Sequence, residues 1–265
     1  SRLYINNGDF SFRDVTELSG IDLRGFFDAG GKGSSDLNEK GAANATRSSG
    51  SEVNGWPFGV SVIDINGDGL QDIYISIGGP SNEDIYPNKL YINQGNLHFS
   101  EQAQAYGLAD AGQSIQAAFF DYDRDNDLDM YLLTGGGFER SPIVPHPIIR
   151  DGSSSNTDRL YRNDFSTALG HPVFTDVSDE AHILEGGFGL GVSVLDINAD
   201  GLLDVYVAND YLTNDLLYVN NGNGTFTESL ADYFSHTSHF AMGCDAGDIN
   251  NDGLEDFYIG GAKAQ

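Results

Sequence analysis

Four stretches of this 265-residue chain carry enough oxygen side chains, at regular enough spacing, to do chemistry. They are Asp64-Ile-Asn-Gly-Asp-Gly-Leu-Gln-Asp72, Asp121-Tyr-Asp-Arg-Asp-Asn-Asp-Leu-Asp129, Asp196-Ile-Asn-Ala-Asp-Gly-Leu-Leu-Asp204 and Asp248-Ile-Asn-Asn-Asp-Gly-Leu-Glu-Asp256. Side-chain oxygens stand at positions 1, 3, 5 and 9 of each, and position 7 offers its backbone carbonyl. That alternation lets a tight loop fold around one hard cation with oxygen ligands. The predicted ligands are Asp64, Asn66, Asp68, Leu70 and Asp72 in loop one, and Asp121, Asp123, Asp125, Asp127 and Asp129 in loop two. Loop three supplies Asp196, Asn198, Asp200, Leu202 and Asp204, and loop four Asp248, Asn250, Asp252, Leu254 and Asp256. Position 6 is Gly69, Gly201 or Gly253, with Asn126 in loop two. These residue types tolerate the left-handed backbone of such a turn.

Calcium is the expected ion, at about four sites. A flexible cage of several carboxylates and a carbonyl suits it, whereas magnesium seldom uses an all-protein cage. No Cys/His cluster recommends zinc. An EF-hand is excluded, because its bidentate Glu at position 12 is replaced by Ile75, Leu132, Val207 and Ile259. Asp residues capping turns would explain one copy but not four at the same spacing.

The elements that must position these loops repeat with them. Small and apolar runs precede the loops (Gly59-Val-Ser-Val-Ile, Ala117-Ala-Phe-Phe, Gly191-Val-Ser-Val-Leu and Cys244-Asp-Ala-Gly), and alternating β-formers such as Ile73-Tyr-Ile-Ser-Ile and Val205-Tyr-Val-Ala follow them. A second motif alternates with the first: Leu3-Tyr-Ile-Asn-Asn-Gly, Leu90-Tyr-Ile-Asn-Gln-Gly, Leu160-Tyr-Arg-Asn-Asp and Leu217-Tyr-Val-Asn-Asn-Gly. Each leads into an aromatic-centred strand, and Asn-Gly between such runs signals a hairpin. Every unit therefore reads as four antiparallel strands, with the acidic loop joining the first two and the Asn-Gly turn the last two. Tandem units of this kind predict an all-β fold of β-propeller blades.

The repeat divides residues 1–265 into three complete blades and two half blades within one β-propeller domain or segment. The halves could complete one another if Gln265 met Ser1. A segment of a larger propeller, its further blades lying elsewhere in the same polypeptide, is the favoured reading. Two stretches break the period: residues 24–55, low in complexity and read as mobile, and residues 135–158, a Pro/Gly loop. The latter's Phe138, Ile143, Val144, Ile148 and Ile149 would either form an apolar contact surface or pack over a blade.

Composition sets further bounds. A formal charge of −27, from 40 acidic and 13 basic residues, disfavours nucleic acid and anionic membrane surfaces. No run approaches the ~20 apolar residues of a membrane span. The one cysteine, Cys244, can form no intrachain disulfide and reads as a small buried hydrophobe. Extracellular calcium modules bind at roughly 10⁻⁴–10⁻³ M, so such loops would be empty at cytosolic calcium levels. That points to a secreted, cell-surface or periplasmic location.

The pattern Asp-x-Asn-x-Asp-Gly-x-x-Asp after a Gly-Val-x-Val strand, alternating with Leu-Tyr-x-Asn-x-Gly, resembles the FG-GAP/VCBS repeat. Gln116-Ala-Ala-Phe-Phe-Asp-Tyr-Asp-Arg-Asp, Arg159-Leu-Tyr-Arg-Asn and Phe240-Ala-Met-Gly-Cys-Asp-Ala-Gly-Asp resemble the subgroup often followed by an ASPIC/UnbV domain, which includes the cartilage acidic proteins. The resemblance implies an integrin-α-like propeller, usually of seven blades, with calcium in the strand 1–2 loops. It implies adhesion or ligand binding in many members, with no shared ligand. Asn126 departs from the pattern's Gly.

The expected function is thus a non-catalytic binding or scaffold module that meets a protein or glycan on one propeller face. The rival is a polysaccharide lyase or glycosidase, which for a glycosidase requires two carboxylates in a cleft. The acids left over from the loops, such as Asp151, Asp158, Glu180 and Glu185, show no repeated logic in the sequence. His236-Thr-Ser-His239 reads as a polar turn, because a working pair needs a third ligand or an acid partner. Asn44-Ala-Thr and Asn223-Gly-Thr match glycosylation acceptors.

Overall fold

A computed structural model describes residues 2–8, 11–21, 55–79, 86–135, 147–211 and 213–261. Most of the 24–55 insertion, Phe138, Ile143 and Val144, and the Gln265–Ser1 junction lie outside them. Three four-stranded antiparallel sheets follow one another. Blade one contains β3 (Trp56–Ile63), β4 (Asp72–Gly78), β5 (Lys89–Asn93) and β6 (Phe99–Glu101). Blade two contains β7 (Ser114–Phe120), β8 (Asp129–Thr134), β9 (Arg159–Ser166) and β10 (His171–Asp176), and blade three β11 (Gly189–Leu195), β12 (Asp204–Asn209), β13 (Leu216–Asn220) and β14 (Phe226–Glu228). The half blades are β1 (Tyr4–Asn6) with β2 (Phe12–Asp14), and β15 (Ala241–Gly247) with β16 (Asp256–Gly261). They form separate two-stranded sheets and do not pair with each other among the described residues.

Each second strand (β4, β8, β12) is buried along its whole length. Its continuous Ile/Tyr/Val/Leu run is what a strand covered on both faces requires. First strands behave differently, because their two faces meet different blades. Counting back from the first Asp of each acidic loop, the second and fourth residues face the preceding blade: Ala117 and Phe119 join the core of blade one, Val192 and Val194 that of blade two, and Cys244 and Ala246 that of blade three. Their counterparts in β3, Val60 and Val62, have no such neighbour among the described residues and stand 63% and 60% exposed. Cys244 is half-buried rather than buried, and its sulfur accepts a hydrogen bond from Ser193 Oγ at 3.3 Å.

Close stacking of the first strands explains two glycines. A Cβ on Gly59 would stand 2.4 Å from Ile115 O, and one on Gly191 would stand 2.8 Å from Gly243 Cα. No side chain fits at either place, which is why those two runs open with Gly. A register shift recurs at the same place in all four first strands.

Sequence reasoning left out three single-turn helices, Thr16–Ser19, Ala103–Tyr106 and Leu230–Tyr233, each just after a unit's last strand. They are too short to show a helical period. The hairpin of blade two also departs from its siblings. Lacking the Asn-Gly turn, β9 and β10 run on to a turn closed by Gly170 N donating to Ser166 O at 2.8 Å. Of the Pro/Gly loop, residues 147–158 fold against the segment before β11, with Gly186 N donating to Ile149 O at 2.9 Å.

Candidate metal centres

All four acidic loops join the first and second strands of a unit, at the same end of each sheet. The position-1 and position-9 side chains build the frame. In loop one Asp64 accepts from the backbone N–H of Asp68 (3.0 Å) and Gly69 (2.8 Å). In loop three Asp196 accepts from Asp200 (3.0 Å) and Gly201 (2.7 Å), and in loop four Asp248 accepts from Asp252 (3.0 Å) and Gly253 (2.9 Å). Loop two repeats this with Asp121 accepting from Asp125 and Asn126, both at 3.1 Å. Asn126 adopts φ +72°, so it fills the glycine seat in the left-handed conformation.

Position 5 accepts from the backbone N–H of position 7 in every loop: Leu70, Asp127, Leu202 and Leu254 donate to Asp68, Asp125, Asp200 and Asp252 at 2.8–3.0 Å. Where position 3 is Asn, its amide nitrogen donates to position 5, as Asn66 does to Asp68, Asn198 to Asp200 and Asn250 to Asp252.

Loop two carries Asp123 instead, which has no such donor. Here Asp121, Asp123 and Asp129 bring one carboxylate oxygen each within 4.8 Å of the others, a group that could hold a metal ion. Asp127 Oδ1 is buried there with no hydrogen-bond partner. Burial pushes the Asp129 carboxyl up to about 8, against two backbone N–H bonds that pull it down. Asp127 is pushed up to about 6 by burial and then by Asp125. A hard divalent cation fits this oxygen-only, charge-crowded set, since it relieves the repulsion that otherwise favours protons.

The position-9 aspartates are the deepest. Asp72, Asp129 and Asp204 are fully buried. One oxygen of each accepts from the residue after position 1: Ile65 N (3.1 Å), Tyr122 N (3.2 Å) and Ile197 N (2.9 Å). The other accepts, at 2.8 Å in every case, from a third-strand backbone N–H: that of Asn93 or Asn220 at the strand's end, or of Asn163 within the longer β9. Those residues are the Asn of the Leu-Tyr-x-Asn motif. The two motifs that alternate in the sequence therefore meet in space, and the Asn is more than a turn former. In loop four Asp256 accepts from Ile249 N at 3.0 Å but has no third strand beside it among the described residues.

A second buried repeat escaped the sequence reading. Tyr131 donates to Asp158 (2.8 Å) and Tyr206 to Asp215 (2.7 Å), and in blade one Asn88 donates to Tyr74 Oη (2.8 Å). Asn88, Asp158 and Asp215 also accept from Ile77 N, Thr134 N and Asn209 N near the end of the second strand. Asp158 thus has a repeated place after all; the signal was the Asn/Asp two residues before the Leu-Tyr pair of each of the three blades. Burial pushes its carboxyl up to about 7. His236 is exposed, with Nδ1 3.1 Å from Ser235 Oγ, and joins no set of possible metal ligands among the described residues.

Four-stranded antiparallel blades whose first two strands are joined by an acidic loop define a repeat class, and this chain belongs to it: it is a member of the FG-GAP-like repeat family, whose pattern matches residues 64–132 and 196–259, half of the sequence. Both matched stretches open on the first aspartate of an acidic loop. The chain is similar to cartilage acidic protein 1 of Mus musculus, with 27% identity over 216 residues. The alignment covers 78% of this chain and 31% of the relative, so the chain spans about a third of that protein's length.

Proposed function

We propose that this protein is a calcium-stabilised extracellular binding or scaffold module with no catalysis of its own. The observation that carries the reading is the fourfold recurrence of one oxygen-rich loop on one hydrogen-bond frame, culminating in the carboxylate group of Asp121, Asp123 and Asp129. Calcium would be held by the side chains at positions 1, 3, 5 and 9 with the carbonyl at position 7, and would supply the positive charge these acids lack. Cages of several carboxylates favour calcium over magnesium, and sites of extracellular strength favour a location outside the cytoplasm. A protein or glycan bound on one face fits the family and its similarity to a cartilage protein. Asn88 occupying in blade one the place of Asp158 and Asp215 supports a structural duty for those buried acids rather than a catalytic one.

Calorimetric titration of chelator-stripped protein tests this. Calcium is expected to bind at about four sites with Kd near 10⁻⁴ M, and magnesium much more weakly. Because the Asp129 carboxyl is pushed up to about 8, calcium must displace a proton there, so affinity at pH 6 should fall below that at pH 8. No calcium heat at either pH would remove the reading, and release of unsaturated sugar ends from a polysaccharide would replace it with a lyase.

A further inference from the structure

Loops two and three are tied together in a way that the other described loops are not. Asn220, at the end of β13, gives its backbone N–H to Asp204 of loop three (2.8 Å) and its side-chain amide to the carbonyl of Tyr122 in loop two (2.8 Å). Tyr122 in turn gives its N–H to Asp129 (3.2 Å). A second line runs parallel. Asp196 of loop three accepts from Gly201 N (2.7 Å), the carbonyl of Gly201 accepts from the Arg124 guanidinium, and Arg124 N donates to Asp121 of loop two (2.7 Å). Both lines begin on a predicted ligand of one loop and end on a predicted ligand of the other. Asn220 also keeps the bond its equivalents make, to Leu203 O at 3.3 Å, whereas Asn93 donates to Gln71 O and Asn163 to Leu128 O and neither reaches another blade among the described residues. Arg124 has no counterpart either, since position 4 of the other loops is Gly67, Ala199 or Asn251.

We propose that loops two and three bind cations as a positively coupled pair, with Asn220 and Arg124 as the positioning residues that couple them; this rests on the calcium reading above. A cation in loop three fixes Asp204 and Asp196, and through them the Asn220 amide and the Gly201 carbonyl. Loop two then meets its own cation with the Tyr122 carbonyl and Arg124 already held, so less ordering remains to be done. Two cations repel, but loop two alone carries five aspartates, and exposed charges are screened by salt. The shared ordering therefore sets the sign.

Terbium(III) serves as the probe, because Tyr122 is the one tyrosine within any of the four loops and can sensitise its emission. The emission lost in both Tyr122→Phe and Asp123→Asn reports loop two. Asp200→Asn, which weakens loop three, should raise the half-saturating terbium concentration of loop two at least about fivefold, the lower end of typical coupling. Asp68→Asn in loop one should leave it within about twofold. In an Asn220→Ala/Arg124→Ala background, Asp200→Asn should no longer matter, whereas in Asn93→Ala it should matter as before. Circular dichroism and melting of each variant separate coupling from misfolding, and Arg124→Ala alone, at an exposed side chain, should give a partial loss of coupling. Unchanged loop-two saturation in folded Asp200→Asn overturns the coupling and leaves the calcium reading standing. Absence of any Tyr122-dependent emission overturns both.

Discussion

Asp204→Ala is expected to lower the stability of the metal-free protein by about 3 kcal/mol. The substitution leaves Ile197 N and Asn220 N without the carboxylate they share, and each buried unpaired N–H costs about 1–3 kcal/mol. Relief of the buried carboxylate offsets part of this, since burial already pushes its pKa upward. Asp204→Asn should cost less, because an amide oxygen still serves one of the two donors. Asp256→Ala is the internal control. Its carboxylate is only part-buried and binds no third strand among the described residues, so the loss there should stay near ~1 kcal/mol. Urea denaturation in excess chelator measures all three. Equal losses at Asp204 and Asp256 would show that the clasp between the acidic loop and the Leu-Tyr-x-Asn strand contributes nothing.

Asp158→Asn should do the opposite and stabilise the protein at neutral and alkaline pH. The buried carboxyl accepts from Thr134 N and Tyr131 Oη, yet burial still pushes it up to about 7. A carboxyl whose folded pKa lies above its unfolded value near 4 stabilises the fold through its bound proton. That contribution is complete below about pH 4 and is lost as the pH rises through about 7. Asparagine carries no charge to be desolvated, and Asn88 shows how it sits: Oδ1 accepts from Ile77 N at 2.7 Å while Nδ2 donates to Tyr74 Oη at 2.8 Å. The stability difference between variant and wild type should therefore grow by about 3 kcal/mol from pH 5 to pH 8. A difference that stays flat over that range would mean that Asp158 titrates normally and that its burial carries no penalty.

The loops and the strands that flank them were legible because their signals are local. Asp at positions 1, 5 and 9, and the Ile/Tyr/Val runs behind them, sit within a dozen residues of one another and recur. What joins those pieces was not legible. Asn220 and Tyr122 lie 98 residues apart, and nothing in Leu217-Tyr-Val-Asn distinguishes the Asn that crosses to another blade from Asn93, which does not. Asn163 shows the same limit from the other side. Its turn lacks the glycine whose N–H meets Asn93 Oδ1 and Asn220 Oδ1 in the sibling blades, and its own Oδ1 is buried without a partner. The Tyr131–Asp158 and Tyr206–Asp215 bonds were missed for a related reason. One seat holds Asn and two hold Asp, so identity varies while the role of accepting a second-strand N–H persists.

Filled acidic loops make the stability of this protein depend on calcium, and thermal melting measures that dependence. The protein is stripped with excess chelator and melted, then melted again with millimolar calcium or with millimolar magnesium. At millimolar calcium a site of ~10⁻⁴ M adds about 1.4 kcal/mol, so four sites add roughly 5 kcal/mol. A chain of this size should then melt about 10 °C or more higher in calcium, with little change in magnesium. Superimposable curves in chelator, calcium and magnesium would leave the four acidic loops as turns that hold no calcium and would remove the ground for placing the protein outside the cytoplasm.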